Sequence, residues 1–137
     1  MTAAQPAGSG NWDDDGSKRR APDAKLEATF AYEDENGRTL FCVEKWRNPQ
    51  GWEPRKSITQ YQLLSPKDYL VIDNEEKKKC KEVKGVCHYY SVADVRLIPY
   101  RLPELLKADA GSLVLILEGE GKVDAARGLG FRPRSFC

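Results

Sequence analysis

Three groups of residues in this 137-residue chain have types and spacings that could do chemistry. The first is Glu118, Glu120 and Asp124, set among glycines in the run LEGEGKVD. Carboxylate oxygens are the ligands Mg²⁺ prefers, and Mg²⁺ neutralises the charge that develops in phosphoryl transfer. Glu118 is the candidate catalytic carboxylate, and the three acids are the candidate Mg²⁺ ligands. Lys122 would meet a phosphate as a point charge. Against this, Glu118 and Glu120 alternate in a turn and need not face one ion. Asp124 falls one turn into a helical pattern. The bland alternative is a solvent-facing acid at a strand end.

The second group lies in KWRNPQGWEPRK, residues 45–56, with four basic side chains against one acidic. Lys45, Trp46, Arg47, Trp52, Arg55 and Lys56 are the candidate nucleic-acid contacts: indoles can stack on single-stranded bases while cations track the phosphates. Tyr61, Tyr89 and Tyr90 could add stacking surfaces. Core packing for the aromatic rings and a solvated loop for the charges are the competing readings. The run EEKKKCKEVK, residues 75–84, is a second local basic stretch, with five positive charges against three negative.

The third group is Cys80, Cys87 and His88. Six residues separate the cysteines, whereas structural zinc usually takes cysteines two to four apart. Cys87 and His88 would also point to opposite faces of a strand. Ordinary thiols are the stronger reading. Gly119 and Gly121 do not make a dinucleotide fingerprint, because the third glycine position is occupied by Asp124.

Bulk properties narrow the classes. With 22 basic and 21 acidic residues the formal charge is +1, so the chain lacks the overall basic character of a dedicated nucleic-acid binder. The beginning has no apolar leader, and no run approaches the 18 apolar residues of a membrane span. A cytoplasmic location and free cysteines are expected, with no membrane partner. Residues 1–25 are rich in Gly, Pro and charge, and are expected to form a disordered tail.

The elements that must position these residues follow from pattern. ATFAY (28–32) and TLFCV (39–43) flank Asn36-Gly37, which predicts a β-hairpin with a tight turn. Leu40, Cys42 and Glu44 fall on one side of its second strand; Phe41, Val43 and Lys45 fall on the other. Residues 46–56 predict a loop, 58–63 a third strand, 69–72 a fourth, 74–84 an exposed turn, and 86–90 a further short strand. From residue 100 the pattern changes. Pro103 suits a first helical turn, with Glu104 favoured near that end and Lys107 near the other. Leu113 to Leu117 reads as a strand covered on both faces. Val123, Ala126 and Leu129 recur at helical spacing.

The last thirty of these residues resemble a known family. Tyr100-Arg101-Leu102-Pro103-Glu104-Leu105-Leu106, a hydrophobic strand ending in Glu118-Gly119-Glu120, then Asp124-Ala125-Ala126 and Leu129-Gly130, look like the start of the Toprim domain of phage and plasmid DNA primases and primase-helicases. The hairpin, with Tyr32, Asp34-Glu35-Asn36-Gly37 and Phe41-Cys42-Val43, is similar to the segment before that domain. The resemblance implies a parent protein that makes primers or handles DNA at replication, with Mg²⁺ as cofactor and Glu118 at the family's strand-end glutamate. It departs from the family at Gly121 and Lys122, where a lysine and an acid usually follow. It also lacks the later strand with paired aspartates and the upstream zinc module.

The expected fold is therefore α+β: a small antiparallel β-meander followed by helix–strand–helix, the incomplete start of an α/β Toprim domain. The expected divisions are 1–25 (tail), 26–98 (β-rich), 99–131 (Toprim-like) and 132–137 (irregular). The expected function is that of a fragment of a primase- or helicase-type replication protein, inactive alone and needing no cofactor of its own. The alternative is a small non-enzymatic module that binds single-stranded DNA or a replication partner. An Mg²⁺-dependent nuclease or primase is a third reading that requires Glu118. An unpaired strand at 113–117 would promote self-association through its edge.

Overall fold

The computed structural model describes residues 20–130. The expectations for residues 1–19 and for the irregular end at 132–137 lie outside them. In chain order the elements are β1 (Lys25–Glu33), β2 (Thr39–Arg47), β3 (Lys56–Leu64), α1 (Pro66–Val71), α2 (Asn74–Lys77), β4 (Cys80–Val83), β5 (Val86–Tyr89), α3 (Leu102–Leu106) and α4 (Glu120–Gly128). The strands form one five-stranded sheet in the order β1-β2-β3-β5-β4. The described chain divides into two units, the first holding residues 20–29 with 43–91, the second holding 30–42 with 92–130.

In the first unit, β5 pairs antiparallel with β3 through Gln62↔Tyr89, Leu63↔His88 and Leu64↔Cys87. It pairs on its other side with β4, from Cys80↔Tyr89 to Val83↔Val86. Lys84 and Gly85 close the β4–β5 hairpin, both at positive φ (53° and 80°). That backbone matches the right-handed twist of the strands it joins. On β3 the buried positions are Ser57, Thr59 and Tyr61, while Ile58 and Leu63 are each 48% exposed. The sheet face that β3 buries is thus lined partly by polar groups.

Three expectations need correction in this unit. Residues 69–72 are not a strand: Ser65 caps α1 by accepting from the Asp68 N–H at 3.1 Å, and Pro66 opens the helix. A capped, proline-led turn competes successfully with the β-branched pair at its end. Residues 74–84 are not one exposed turn. Asp73 caps α2 by accepting from Glu76 N–H at 2.8 Å, and β4 follows at Cys80. The end of the expected tail is held in place. Ala21 is 1% exposed and donates to Asn48 Oδ1 at 2.8 Å, while Asn48 Nδ2 donates to Pro54 O at 2.6 Å. Asn48 therefore satisfies two backbone groups that a coil would leave to water.

In the second unit, Asp34 organises the hairpin turn. Its N–H donates to Arg38 O at 2.9 Å, and its Oδ1 accepts from the N–H groups of Asn36 and Arg38 at 2.9 and 3.0 Å. Gly37 alone takes positive φ, at 80°, so the turn is longer than the two-residue form expected. An aspartate bonding its own backbone two and four residues on explains the extra length. Phe30, Phe41, Leu102, Val123 and Ala126 are buried. Tyr32 stacks on Phe41 with centroids 4.5 Å apart, and Phe30 meets Tyr100 edge-on at 5.7 Å.

The expected strand at 113–117 is absent. These residues carry no ladder, and Leu113, Val114 and Ile116 are 79%, 41% and 80% exposed. An apolar run forms a doubly covered strand only where neighbouring strands supply hydrogen bonds on its edges. None pairs with it among the described residues, so it presents apolar surface rather than a strand edge. Leu129 is likewise exposed (81%), outside the buried pair Val123 and Ala126.

Candidate functional site

The acids near residue 118 are best followed from α3 and α4. Asp124, one turn into α4, accepts from the Tyr100 hydroxyl at 3.2 Å and from Arg101 Nε at 3.0 Å. Arg101 Nη2 also lies 3.0 Å from Asp124 Oδ1, and Arg101 Nη1 donates to Glu104 Oε1 at 2.8 Å. Arg127 donates to the other oxygen of Glu104 through Nε at 2.9 Å and Nη2 at 2.8 Å. The result is an alternating chain: Asp124, Arg101, Glu104, Arg127. Planar guanidinium groups suit such paired contacts, because two N–H bonds align with one carboxylate.

Electrostatics follow from these contacts. Burial opposes the charge on Arg101, but its bonds to Asp124 and Glu104 outweigh that and leave the guanidinium more basic than usual. Burial raises the Tyr100 phenol; Arg101 works against this, and Asp124 adds to it. Burial also raises Tyr32, helped by the charge of Glu120 and a hydrogen bond to its carboxylate.

The three candidate Mg²⁺ ligands therefore do not act together. Glu118 is exposed at a bend before α4, Glu120 is engaged with Tyr32, and Asp124 is engaged with Arg101 and Tyr100. Among the described residues no group of three His, Cys, Asp or Glu side chains converges on a metal position. Mg²⁺ prefers near-octahedral oxygen coordination and carboxylates free to supply it. The donors present do not fit the ion, and no chemical step at Glu118 follows from this arrangement.

The candidate nucleic-acid contacts are also divided. Trp46 donates its indole N–H to Thr59 Oγ1 at 3.0 Å, and the Arg20 guanidinium lies 4.2 Å above its ring. By strand alternation Lys45 and Arg47 lie on the opposite face of β2. Arg47 pairs with Glu27 at 3.0 Å. Arg55 and Lys56 are exposed, whereas Trp52 is half-buried in the loop between β2 and β3. The six do not form one stacking surface, because consecutive strand residues cannot share a face.

The first unit holds a further cluster that the spacing of charged residues does not reveal. Glu44 is 6% exposed and accepts from the Thr59 hydroxyl at 2.9 Å, the same hydroxyl that accepts from Trp46. Neutral donors thus hold a buried carboxylate. On β5, His88 lies flat on Tyr61, with centroids 4.1 Å apart and planes 7° from parallel; Tyr90 tilts against Tyr61 at 5.6 Å. His88 Nδ1 and the Ser57 hydroxyl are buried without hydrogen-bond partners. Burial holds the His88 imidazole below its ordinary range, with Glu44 pulling upward and Lys81 pushing downward. The ring is therefore kept neutral. Burial raises Tyr90, with Glu44 adding to it and Arg20 opposing. A signal for this cluster exists in the sequence: Glu44 follows Phe41-Cys42-Val43 within one strand, an acid where the pattern asks for an apolar residue.

Cys42, Cys80 and Cys87 are free thiols. His88 lies a strand position away from Cys87 and stacks on Tyr61, so the two do not share a metal. No helix among the described residues is long and apolar enough to cross a membrane. Comparison of the chain with protein-family models, with curated proteins and with solved structures gives no match.

Proposed function

We propose that the chain acts by binding, as a non-catalytic portion of a primase- or primase-helicase-type DNA replication protein. The observation that carries the non-catalytic part is the engagement of its acids: Arg101 and Arg127 neutralise Asp124 and Glu104, leaving, among the described residues, no set of carboxylates to hold Mg²⁺. The family part rests on the sequence resemblance over residues 100–131, and on the order of elements over 100–130: helix, apolar run, glycine turn, helix.

Binding would fall to the sheet face opposite Trp46, where Lys45 and Lys56 share one side with exposed Ile58 and Gln60. Contacts of this kind read phosphates and not sequence, so affinity should fall steeply with salt. Fluorescence anisotropy with a labelled single-stranded oligonucleotide, at two salt concentrations, tests this. The expected result is binding at low salt, with the salt slope reduced by roughly one per lysine when Lys45 or Lys56 is changed to Glu. No binding at low salt would remove the proposal. Mg²⁺-dependent primer synthesis that disappears in Glu118→Ala would overturn its non-catalytic part.

A further inference from the structure

Cys80 and Cys87 come together although six residues separate them in sequence. The register of the β4–β5 hairpin sets Glu82 opposite Cys87 and Cys80 opposite Tyr89. Residues two apart share a strand face, so the two cysteines are diagonal neighbours on one side of the hairpin. The Cys87 thiol acts on Cys80 and raises it beyond what burial alone does. Cys80 Sγ also lies 3.9 Å from Glu76 O, to which it donates.

The pair has an approach. Both cysteines line a cavity of about 670 Å³ together with Leu64, Pro66, Tyr69, Leu70 and Val86. A small sulfur reagent can therefore reach them without unfolding the hairpin.

A small backbone movement brings the pair within reach of a bond. Diagonal cross-strand Cα atoms sit roughly 7–8 Å apart, slightly beyond the upper range of about 7 Å for a disulfide. The gap must close by a small backbone shift. Among the described residues β4 is the last strand of the sheet and pairs with β5 alone, so it can shift without disturbing a second ladder. The Lys84-Gly85 turn supplies a strong local twist, which draws strand positions across the hairpin closer along one diagonal.

We propose that Cys80 and Cys87 form a dithiol site that reacts as one unit with low-molecular-weight disulfides, closing to a Cys80–Cys87 disulfide across the β4–β5 hairpin. Cys87 attacks first. Its thiolate forms a bond to one sulfur of the reagent; the reagent's S–S bond breaks, and the departing thiolate takes the proton Cys87 lost. Cys80 then attacks the Cys87 sulfur, a second reagent thiolate leaves, and it carries away the Cys80 proton. Two protein thiols are oxidised and one reagent disulfide is reduced to two thiols. Cys80 is the resolving partner because its thiol donates to Glu76 O, while burial and then the neighbouring Cys87 thiol push it up to about 11, which keeps it protonated until the second step.

The site stands apart from the nucleic-acid reading and is tested without DNA. The full chain is incubated with oxidised glutathione, quenched with an alkylating reagent, and followed by intact mass and peptide mapping. Cys80 and Cys87 are expected to lose alkylation together, with the protein lighter by two hydrogens and Cys42 still alkylated after unfolding. Cys80→Ser should stop at a stable glutathione adduct on Cys87, and Cys87→Ser should lose the closing reaction. Circular dichroism of each variant establishes that the sheet is intact. A wild-type chain that keeps glutathione on Cys87 would overturn the proposal. So would one that pairs either cysteine with a different thiol, or one that leaves both unreacted.

Discussion

Glu44 in one unit is buried beside a threonine hydroxyl and an indole N–H, whereas Asp124 and Glu104 in the other lie between two arginines. Both units place carboxylates among aromatic rings. Of these three carboxylates, only Asp124 and Glu104 have charge answered by charge. A carboxylate held by neutral donors depends on each donor, because losing one leaves a buried polar group facing nothing. A carboxylate shared between guanidinium groups, partly open to water, has solvent as a fallback. The difference teaches where function should not be sought: acids already bound to arginine are poor metal ligands, however suggestive their spacing.

The largest expected effect falls on the neutral network. Thr59→Val keeps shape but removes the donor to Glu44 and the acceptor for Trp46. It should cost about 2–3 kcal/mol. Denaturant unfolding of the variant checks this, and a loss no greater than that of the next variant would erase the contrast.

Arg101→Ala should cost less, about 1–2 kcal/mol, because water screens the 37% exposed Asp124 side chain. High salt should shrink the difference between this variant and the wild type, and should leave the Thr59→Val difference almost unchanged. Equal salt responses would merge the two cases.

The smallest effect is a pH dependence centred on His88. Well above the ordinary imidazole range, His88 is neutral in both folded and unfolded chains. As pH falls, the unfolded chain, with its ordinary value near 6.5, takes up the proton first. Stability therefore drops with pH until the folded-state imidazole also titrates. His88→Gln should flatten the melting-temperature profile as pH falls through the ordinary imidazole range. Asp34, Glu35 and Glu76 act in a lower window. The Arg38 N–H holds Asp34 down, Arg96 holds Glu35 down, and the Tyr89 hydroxyl holds Glu76 down. Their stabilisation is present above the ordinary carboxylate range and is lost as pH falls below it. A His88→Gln profile identical to wild type above that window would remove the role given to burial.

Legibility in the sequence followed locality. The hairpin around Asn36-Gly37 and the helices beginning near Pro103 and Glu120 depend on turn chemistry and short-range periodicity, which neighbouring residues carry. Ser65 and Asp73 were equally local helix caps, but the apolar pair Leu70-Val71 and the charge run beyond it masked them. The run Leu113–Leu117 was not legible, because strand formation needs partners that composition does not name. Among the site residues, the spacing of Glu118, Glu120 and Asp124 was visible, whereas the engagement of Glu120 by Tyr32 and of Asp124 by Tyr100 and Arg101 is a tertiary fact. The pairing of Cys80 with Cys87 needed the register of a hairpin before it could be seen.

Arg101 holds one further consequence. It adopts left-handed backbone angles (φ 64°, ψ 39°) immediately ahead of α3, a conformation that crowds any side chain with a Cβ by roughly 1–2 kcal/mol. Glycine at this position would relax the main chain while deleting the cation; alanine would delete the cation and keep the crowding. The gap between Arg101→Gly and Arg101→Ala therefore weighs the posture of one residue separately from its charge. It shows how much strain the main chain carries where the helix begins.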